Sequence, residues 1–365
     1  HAYREHWVAQ QYLPSSLQGR TFYQPSDQGR EKDTGAEVSR RRELQLAAML
    51  EDQHAPQEVL SFSPSDPTRD QWLKRASGEV GTQLERVREQ LFAPLELERH
   101  HLVLDLESGT GLLTWEALRR VPEGGVWAHA SDKTAAVALH ETAMYLPELE
   151  RPVVVQGPLM DLPEQIAERV SEMGAARSDA APAAPAAPPL LRFDAILGRN
   201  ALGPLKDKAE IAAALYQQLA PGGRISLVEM LSRRSQRLHQ LVDLDRLEAD
   251  LAARLIAAEE AIYTDPDNPQ VNWDVEDLEK IFAAAGFDQV QTRVDSNPSQ
   301  RHIEPHQLGH WFSPGGEKRH TYANYLAQHL DEGELRQVRK LFERGLANRT
   351  VDWTTTQVFV QAVLE

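Results

Sequence analysis

Between Val103 and Gly111 the chain reads VLDLESGTG, an acid followed by two closely spaced glycines and small polar residues. Glycines at that spacing let a backbone approach a ligand, and the amides opening the next helix attract anionic or polar groups. The chemistry on offer is nucleotide binding, and the neighbouring residues narrow the nucleotide. A dinucleotide fingerprint needs a third glycine where Thr114 stands, which disfavours NAD, and the chain contains no G-x-x-x-x-G-K-[ST] run to cradle a triphosphate. A second set of reactive groups lies in RHIEPHQLGHWF, where His302, His306 and His310 recur every four residues, a spacing that suits a metal on one helix face. Pro305 belongs at the start of that helix, however, which leaves only His306 and His310 on a shared face. The default for these histidines is solvated or packing; a general base among them requires that the segment lid the site. No metal is expected, and a chain without cysteine has no disulfide, thiolate zinc site or cysteine nucleophile.

The elements that must position the loop begin at His101. Short β-rich runs, HLVLDL, GVWAHA, PVVVQG, FDAILG and GRISLVEM, alternate with the helical stretches TWEALRRV, PEQIAERVSEM, KAEIAAALYQQL and VEDLEKIFAAAGF; FDQVQTRV and TQVFVQAVL follow. Such alternation predicts a parallel sheet with helices on both faces, and puts VLDLESGTG where the first strand meets the first helix. RRSQRLHQLVDLDRLEADLAARLIAAEEAIY predicts one long helix, with Glu248, Asp250, Arg254, Glu259 and Glu260 on a solvated face. Ahead of the sheet, Ala36 to Asp52 reads as a helix. PQEVLSFSPSDP reads as a linker, and a second helix follows Asp70, with Trp72, Leu73, Val80, Leu84, Val87 and Leu91 at helical spacing and Pro94 at its end. GAARSDAAPAAPAAPP, within 174–189, predicts an extended, mobile insertion.

Composition bounds the rest. A length of 365 residues suits one large α/β domain with an appendage, and a net charge of −16 opposes strong binding to nucleic-acid backbones. No apolar run reaches bilayer length and no signal peptide is visible, so the expected location is cytoplasmic, away from membranes. The first residue is His1 rather than Met, which suggests a piece of something longer.

VLDLESGTG resembles motif I of class I S-adenosylmethionine-dependent methyltransferases, with Asp105 at its acidic position, Gly109 and Gly111 at two glycine positions, and Glu107 where the first glycine belongs. FDAILGRNAL is similar to the family's fourth strand and exit loop, and LYQQLAPGGRISLVE to its following helix, PGG turn and fifth strand. The resemblance implies a Rossmann-like seven-stranded α/β sheet with helices on both faces over 68–365, preceded by a helix and linker over 35–67. It further implies S-adenosylmethionine as cofactor, held by the loop residues Asp105, Glu107, Ser108, Gly109, Thr110 and Gly111. Asp105 would accept from the cofactor's ammonium, directly or through water. Asp161 and Leu162 match the adenine contact after the third strand, although Asp161 is equally a helix N-terminal acid. The ribose-binding acid is missing: Ala130 stands near its place, and Asp132, two residues on, reads better as a surface cap. Glu107 could attract the cofactor's ammonium or repel its carboxylate. Arg199 and Asn200, leaving the fourth strand, are the catalytic candidates toward an unknown methyl acceptor, with loop capping as their alternative.

HWVAQQYLPSSLQGRTFYQPSDQGRE carries a second resemblance, to the C-terminal tail of the replication-associated recombination AAA+ ATPases, relatives of the clamp loaders. Trp7, Gln10, Gln11, Tyr12, Pro14, Gly19, Arg20, Phe22, Tyr23, Pro25, Asp27 and Gly29 carry it, and Arg30 departs from the usual aromatic. It implies that residues 1–34 end an upstream oligomeric ATPase whose active site is outside this chain, with roles in DNA replication, repair and recombination. Without that neighbour, the opening aromatics are expected to pack poorly. Two functions then compete: a methyltransferase domain fused to the ATPase, or a degenerate methyltransferase fold acting as its docking or regulatory module.

Overall fold

The computed structural model describes residues 29–53, 70–176, 191–313 and 321–365. The aromatic opening segment, the linker after residue 53 and the Pro/Ala stretch from 177 onward lie outside the described residues. Two helices, α1 (Gly29–Gln53) and α2 (Asp70–Phe92), precede a seven-stranded sheet of order β3-β2-β1-β4-β5-β7-β6. The parallel strands are β1 (Leu102–Leu106), β2 (Gly125–Ala130), β3 (Val153–Gln156), β4 (Phe193–Arg199) and β5 (Leu219–Met230). They are linked by α3 (Leu112–Arg120), α4 (Lys133–Ala143), α5 (Leu162–Ala176) and α6 (Lys208–Gln218). After α7 (Ala249–Thr264) and α8 (Val275–Ala285) come β6 (Asp288–Ile303), α9 (Pro305–Trp311), α10 (Tyr322–Leu326), α11 (Glu332–Leu346) and β7 (Arg349–Val363). β7 runs antiparallel to both β5 and β6. The parallel strands with their linking helices are what the strand–helix alternation predicts, and the seven-stranded whole is what the resemblance implies.

Strand periodicity divides the core. Leu104, Leu106 and Ile196 face one side with Ile166, Ile211, Leu215 and Phe282 of α5, α6 and α8, while Val103, Ala195 and Leu197 face the other with Val87, Leu91, Leu113 and Ala117 of α2 and α3. The PGG residues form a bulge inside β5, where pairing jumps from Phe193↔Leu219 to Ala195↔Arg224, rather than a turn ahead of it. Among the described residues, no helix is long and apolar enough to cross a membrane.

Two expectations need correction at the C-terminal end. The long helix predicted from Arg233 to Tyr263 exists only as α7; before it the chain makes three short 3-10 turns. Tertiary bonds outbid the helix there. Leu231 N–H donates to the Thr356 carbonyl, and buried Glu259 accepts from the backbone N–H groups of Leu238 and His239, from His239 Nδ1 at 3.0 Å and from the Tyr322 hydroxyl at 2.8 Å. Glu259 is therefore a buried hub rather than part of a solvated face. The last two strands are also longer than FDQVQTRV and TQVFVQAVL suggest. β6 is too polar to read as a strand along its length, yet Arg293 lies 4.7 Å over the Phe359 ring and Arg301 4.3 Å over Trp353, so guanidinium planes cover the rings of β7. β5 pairs with β7 only from Gln357 onward, so residues 349–356 run past the C-terminal end of β5, with β6 as their partner strand. This ribbon supports a second core, in which Ile303 and Trp353 meet Leu255, Trp311, Tyr322 and Phe342.

The N-terminal helix is fastened to the sheet domain through one acid. Glu116 of α3 has no exposed side-chain surface, and it receives Arg40 of α1 through two bonds of 3.1 and 3.2 Å, as well as Arg119 and Arg120. Arg119 in turn grips Glu43 of α1, and Leu44, Ala47 and Ala48 close over Leu112, the first residue of α3. Burial alone would raise the Glu116 carboxyl; the arginines overcome it and hold it down from 4.5 to about 2. Its contribution to stability is thus complete above the ordinary carboxyl range and disappears as pH falls toward 2. Glu116→Ala leaves three arginines around an empty site and is expected to cost about 3–5 kcal/mol; urea unfolding at neutral pH measures it, and a wild-type midpoint would contradict the clamp.

Candidate functional site

The C-terminal edge of the parallel strands is where ligands of doubly wound folds bind, and the VLDLESGTG loop stands on it. Three of its residues adopt left-handed backbone: Glu107 (φ 51°), Gly109 (φ 49°) and Gly111 (φ 78°). Gly111 admits no side chain, since a Cβ would lie 2.3 Å from Trp115 Nε1. Ser108 pins the loop on both sides, its N–H donating to the His129 carbonyl of β2 at 2.8 Å and its hydroxyl to the Asp105 carbonyl at 3.1 Å. α3 follows Gly111, which as a glycine supplies no side-chain cap, and the Thr114 N–H of its first turn is aimed at the Asp105 carboxylate.

Asp105 is completely buried at the end of β1. Its Oδ2 accepts from Thr114 Oγ at 2.6 Å, while Oδ1 is sealed from solvent and accepts no hydrogen bond. Burial pushes this carboxyl up from 3.8 to about 7, against the pull of Thr114 and Ser108, and Glu107 adds to the rise. Glu107 itself reaches across to β2: its Oε2 accepts from Ser131 Oγ at 2.9 Å, and its Oε1 lies 3.7 Å from His129 Nδ1. His129 is buried, with Nε2 on the Gly157 carbonyl at 2.9 Å, and burial keeps its pKa low despite Glu107. A carbonyl only accepts, so Nε2 carries a ring proton.

The other loops of this edge follow from backbone demands. Asp132 caps α4, accepting the Ala135 N–H at 3.0 Å, which is the surface-cap role. Asp161 is exposed at the end of a short 3-10 turn before α5, while the Leu162 side chain lies in the main core, leaving only its backbone for a ligand. Arg199 ends β4 half-buried. Asn200 is left-handed (φ 55°), and its Oδ1 accepts the Met230 N–H at 3.0 Å, so its amide ties the β4 exit to β5. Beside it, the wholly buried Glu229 of β5 accepts the N–H groups of Ala201, Leu202 and Gly203 at 2.9, 3.0 and 2.9 Å. Burial nevertheless raises its carboxyl to about 7.

His302, His306 and His310 are not gathered: His302 meets Thr350 at the end of β6, and His306 pairs with Glu304 at the start of α9. Among the described residues the one group with metal-ligand spacing is Glu98, His100 and His101, at the opposite, N-terminal edge of β1, where His101 Nδ1 already accepts the Glu98 N–H. Sequence reading missed Thr114, Ser131, His129 and Glu229. Two carried a signal, a hydroxyl one turn inside the apolar LLTWEAL and a single charge inside ISLVEM.

Residues 77–292 match the family model described as a methyltransferase domain, which is more than half the chain. No curated protein matches it. Similar solved structures include the YcgJ protein of Bacillus subtilis, at 13% identity over 77% of this chain and 97% of that one with a TM-score of 0.42. Two others are an arsenic(III) S-adenosylmethionine methyltransferase from Chlamydomonas reinhardtii (13%, 77% and 70%, 0.39) and phosphoethanolamine N-methyltransferase 2 from Haemonchus contortus (15%, 77% and 52%, 0.36). At these scores none carries its chemistry to this chain.

Asp105 and Glu229 are both held above the ordinary carboxyl range. Each therefore contributes stability at low pH that is lost as pH rises through about 7. Asp105→Asn removes one of the two groups. Denaturant midpoints of the variant, measured from about pH 4 to pH 8, are expected to fall less steeply than those of the wild type, and parallel curves would contradict the burial argument.

Proposed function

Because the chain belongs to the methyltransferase-domain family, we propose that it binds S-adenosylmethionine on the Asp105–Gly111 loop and transfers its methyl group to an acceptor at the same sheet edge. The observation that carries this reading is Asp105 Oδ1, a buried carboxylate oxygen without a donor, at the root of a loop with left-handed backbone at Glu107, Gly109 and Gly111. A cationic ammonium, alone or through a water, is the partner that such an oxygen lacks. Gly109 and Gly111 leave room for backbone approach, and Asp161 stands at the β3 exit for the base. When bound, the cofactor supplies a methyl group on a positively charged sulfur. The protein's task is alignment and exclusion of water. Glu229 and Asn200 fix the β4 exit loop for that purpose, acting as positioning residues, and Arg199 is the remaining candidate to face the acceptor. The β6–β7 ribbon and its helical core overhang the edge on the β5 side, where they bound the acceptor's approach.

The pattern in residues 1–34 supports a further part of the proposal, tethering to an AAA+ ATPase of replication and recombination; it rests on the sequence alone. The rival reading, a docking module of degenerate methyltransferase fold, is favoured by one feature, the absence of an acid at the end of β2, where Ala130 and Ser131 stand.

Isothermal titration separates the two. S-adenosylmethionine and S-adenosylhomocysteine are expected to bind with micromolar Kd and NAD not to bind. Gly109→Arg should abolish binding while the protein stays folded: a Cβ there meets only the Glu107 carbonyl at 3.5 Å, and the left-handed φ of 49° costs about 1–2 kcal/mol, too little to unfold the domain. Absence of heat with any of the three ligands would sink the methyltransferase reading.

A further inference from the structure

β2 ends without an acid. In doubly wound nucleotide-binding folds the carboxylate at the end of the second strand accepts from ribose hydroxyls. Here β2 ends in Ala130, which is buried, and the nearest following acid, Asp132, is spent on capping α4. We propose that Glu107 is the ribose-binding acid of this protein, delivered to the end of β2 from the loop after β1. The inference rests on the proposed S-adenosylmethionine site and assigns one part of the cofactor to one side chain.

Three observations support it. The left-handed backbone at Glu107 accompanies a side chain that crosses from β1 to β2 rather than facing the Asp105 end of the loop. Its carboxylate is anchored there by the Ser131 hydroxyl at 2.9 Å and, at a longer 3.4 Å, by the Ser131 N–H. Finally, the side chain keeps 25% of its surface exposed, so acceptor lone pairs remain for a ligand. Two carboxylate oxygens facing a vicinal diol make a bidentate, charge-assisted contact. His129 lies behind Glu107 with its Nδ1 3.7 Å from Oε1, beyond hydrogen-bond reach, so the ring does not occupy the carboxylate. The two acids of the loop thus divide the cofactor: Asp105, sealed and short of a donor, suits the ammonium, while Glu107, anchored and half-open, suits the sugar. A carboxylate on the ribose side also answers whether this loop attracts or repels the cofactor, since it stands away from the amino-acid end.

Glu107→Gly is the decisive variant, because glycine accepts φ 51° without strain and restores the commoner loop residue. Titration is run with S-adenosylhomocysteine and with its 2′,3′-dideoxyribose analogue, a deoxy analogue that lacks both hydroxyls of the diol. The variant is expected to lose about tenfold or more in affinity for S-adenosylhomocysteine, the loss typical of one hydrogen bond to a charged group. It should lose little for the deoxy analogue, which the wild type already binds more weakly. Equal or tighter binding of S-adenosylhomocysteine by Glu107→Gly would overturn the assignment, and so would an equal loss for both ligands, which marks general loosening of the loop. Wild-type protein that binds neither ligand defeats the underlying methyltransferase reading instead.

Discussion

A carboxylate taken out of water must find donors, and this protein is organised around four that have no exposed surface: Asp105, Glu116, Glu229 and Glu259. Three have answers from distant parts of the chain. Glu116 draws Arg40 across from the N-terminal helix, Glu229 collects three amides of the β4 exit loop, and Glu259 holds the turns after β5 and Tyr322 of the second core. Each converts an irregular or peripheral segment into fixed structure, because leaving the acid unpaired costs more than ordering the segment. Asp105 is the exception, with Thr114 on one oxygen and nothing on the other. The exception falls at the one place on the sheet where ligands are expected.

The same arrangement ties the loops of the site edge to the strands. Ser108 locks the first loop to β1 and β2, and Asn200 and Glu229 lock the fourth to β5. The long β6–β7 ribbon adds a wall beyond β5, held by arginines lying on aromatic rings. What varies along this edge is charge. Asp105 and Glu107 lie within three residues of each other, and their mutual repulsion contributes to the raised Asp105 carboxyl. A cation placed beside them relieves that repulsion.

Much of this was legible in the residues. Short β-rich runs and the glycine loop located β1 to β5 and the site, because buried parallel strands must be apolar and a close-approach loop must be small. The loop's second acid was visible as a departure from a glycine position, but its direction was not, since only the left-handed backbone sends it to β2. Glu259 read as part of a solvated face because one-dimensional charge patterns cannot show which carboxylate two remote amides and a tyrosine will claim. The polar length of β6 was hidden for a similar reason: its apolar cover comes from the neighbouring strand. Asn200 read as a catalytic candidate with loop capping as its alternative, and in the structure its Oδ1 accepts the Met230 N–H.

The central claim is that the unanswered oxygen of Asp105 marks the cofactor's place. A crystal structure of the chain with S-adenosylhomocysteine tests it most directly. The account predicts the ligand's ammonium, or a water that it holds, within hydrogen-bond reach of Asp105 Oδ1, with the ribose toward the end of β2. A ligand seated elsewhere, with Oδ1 still lacking a donor, would contradict it.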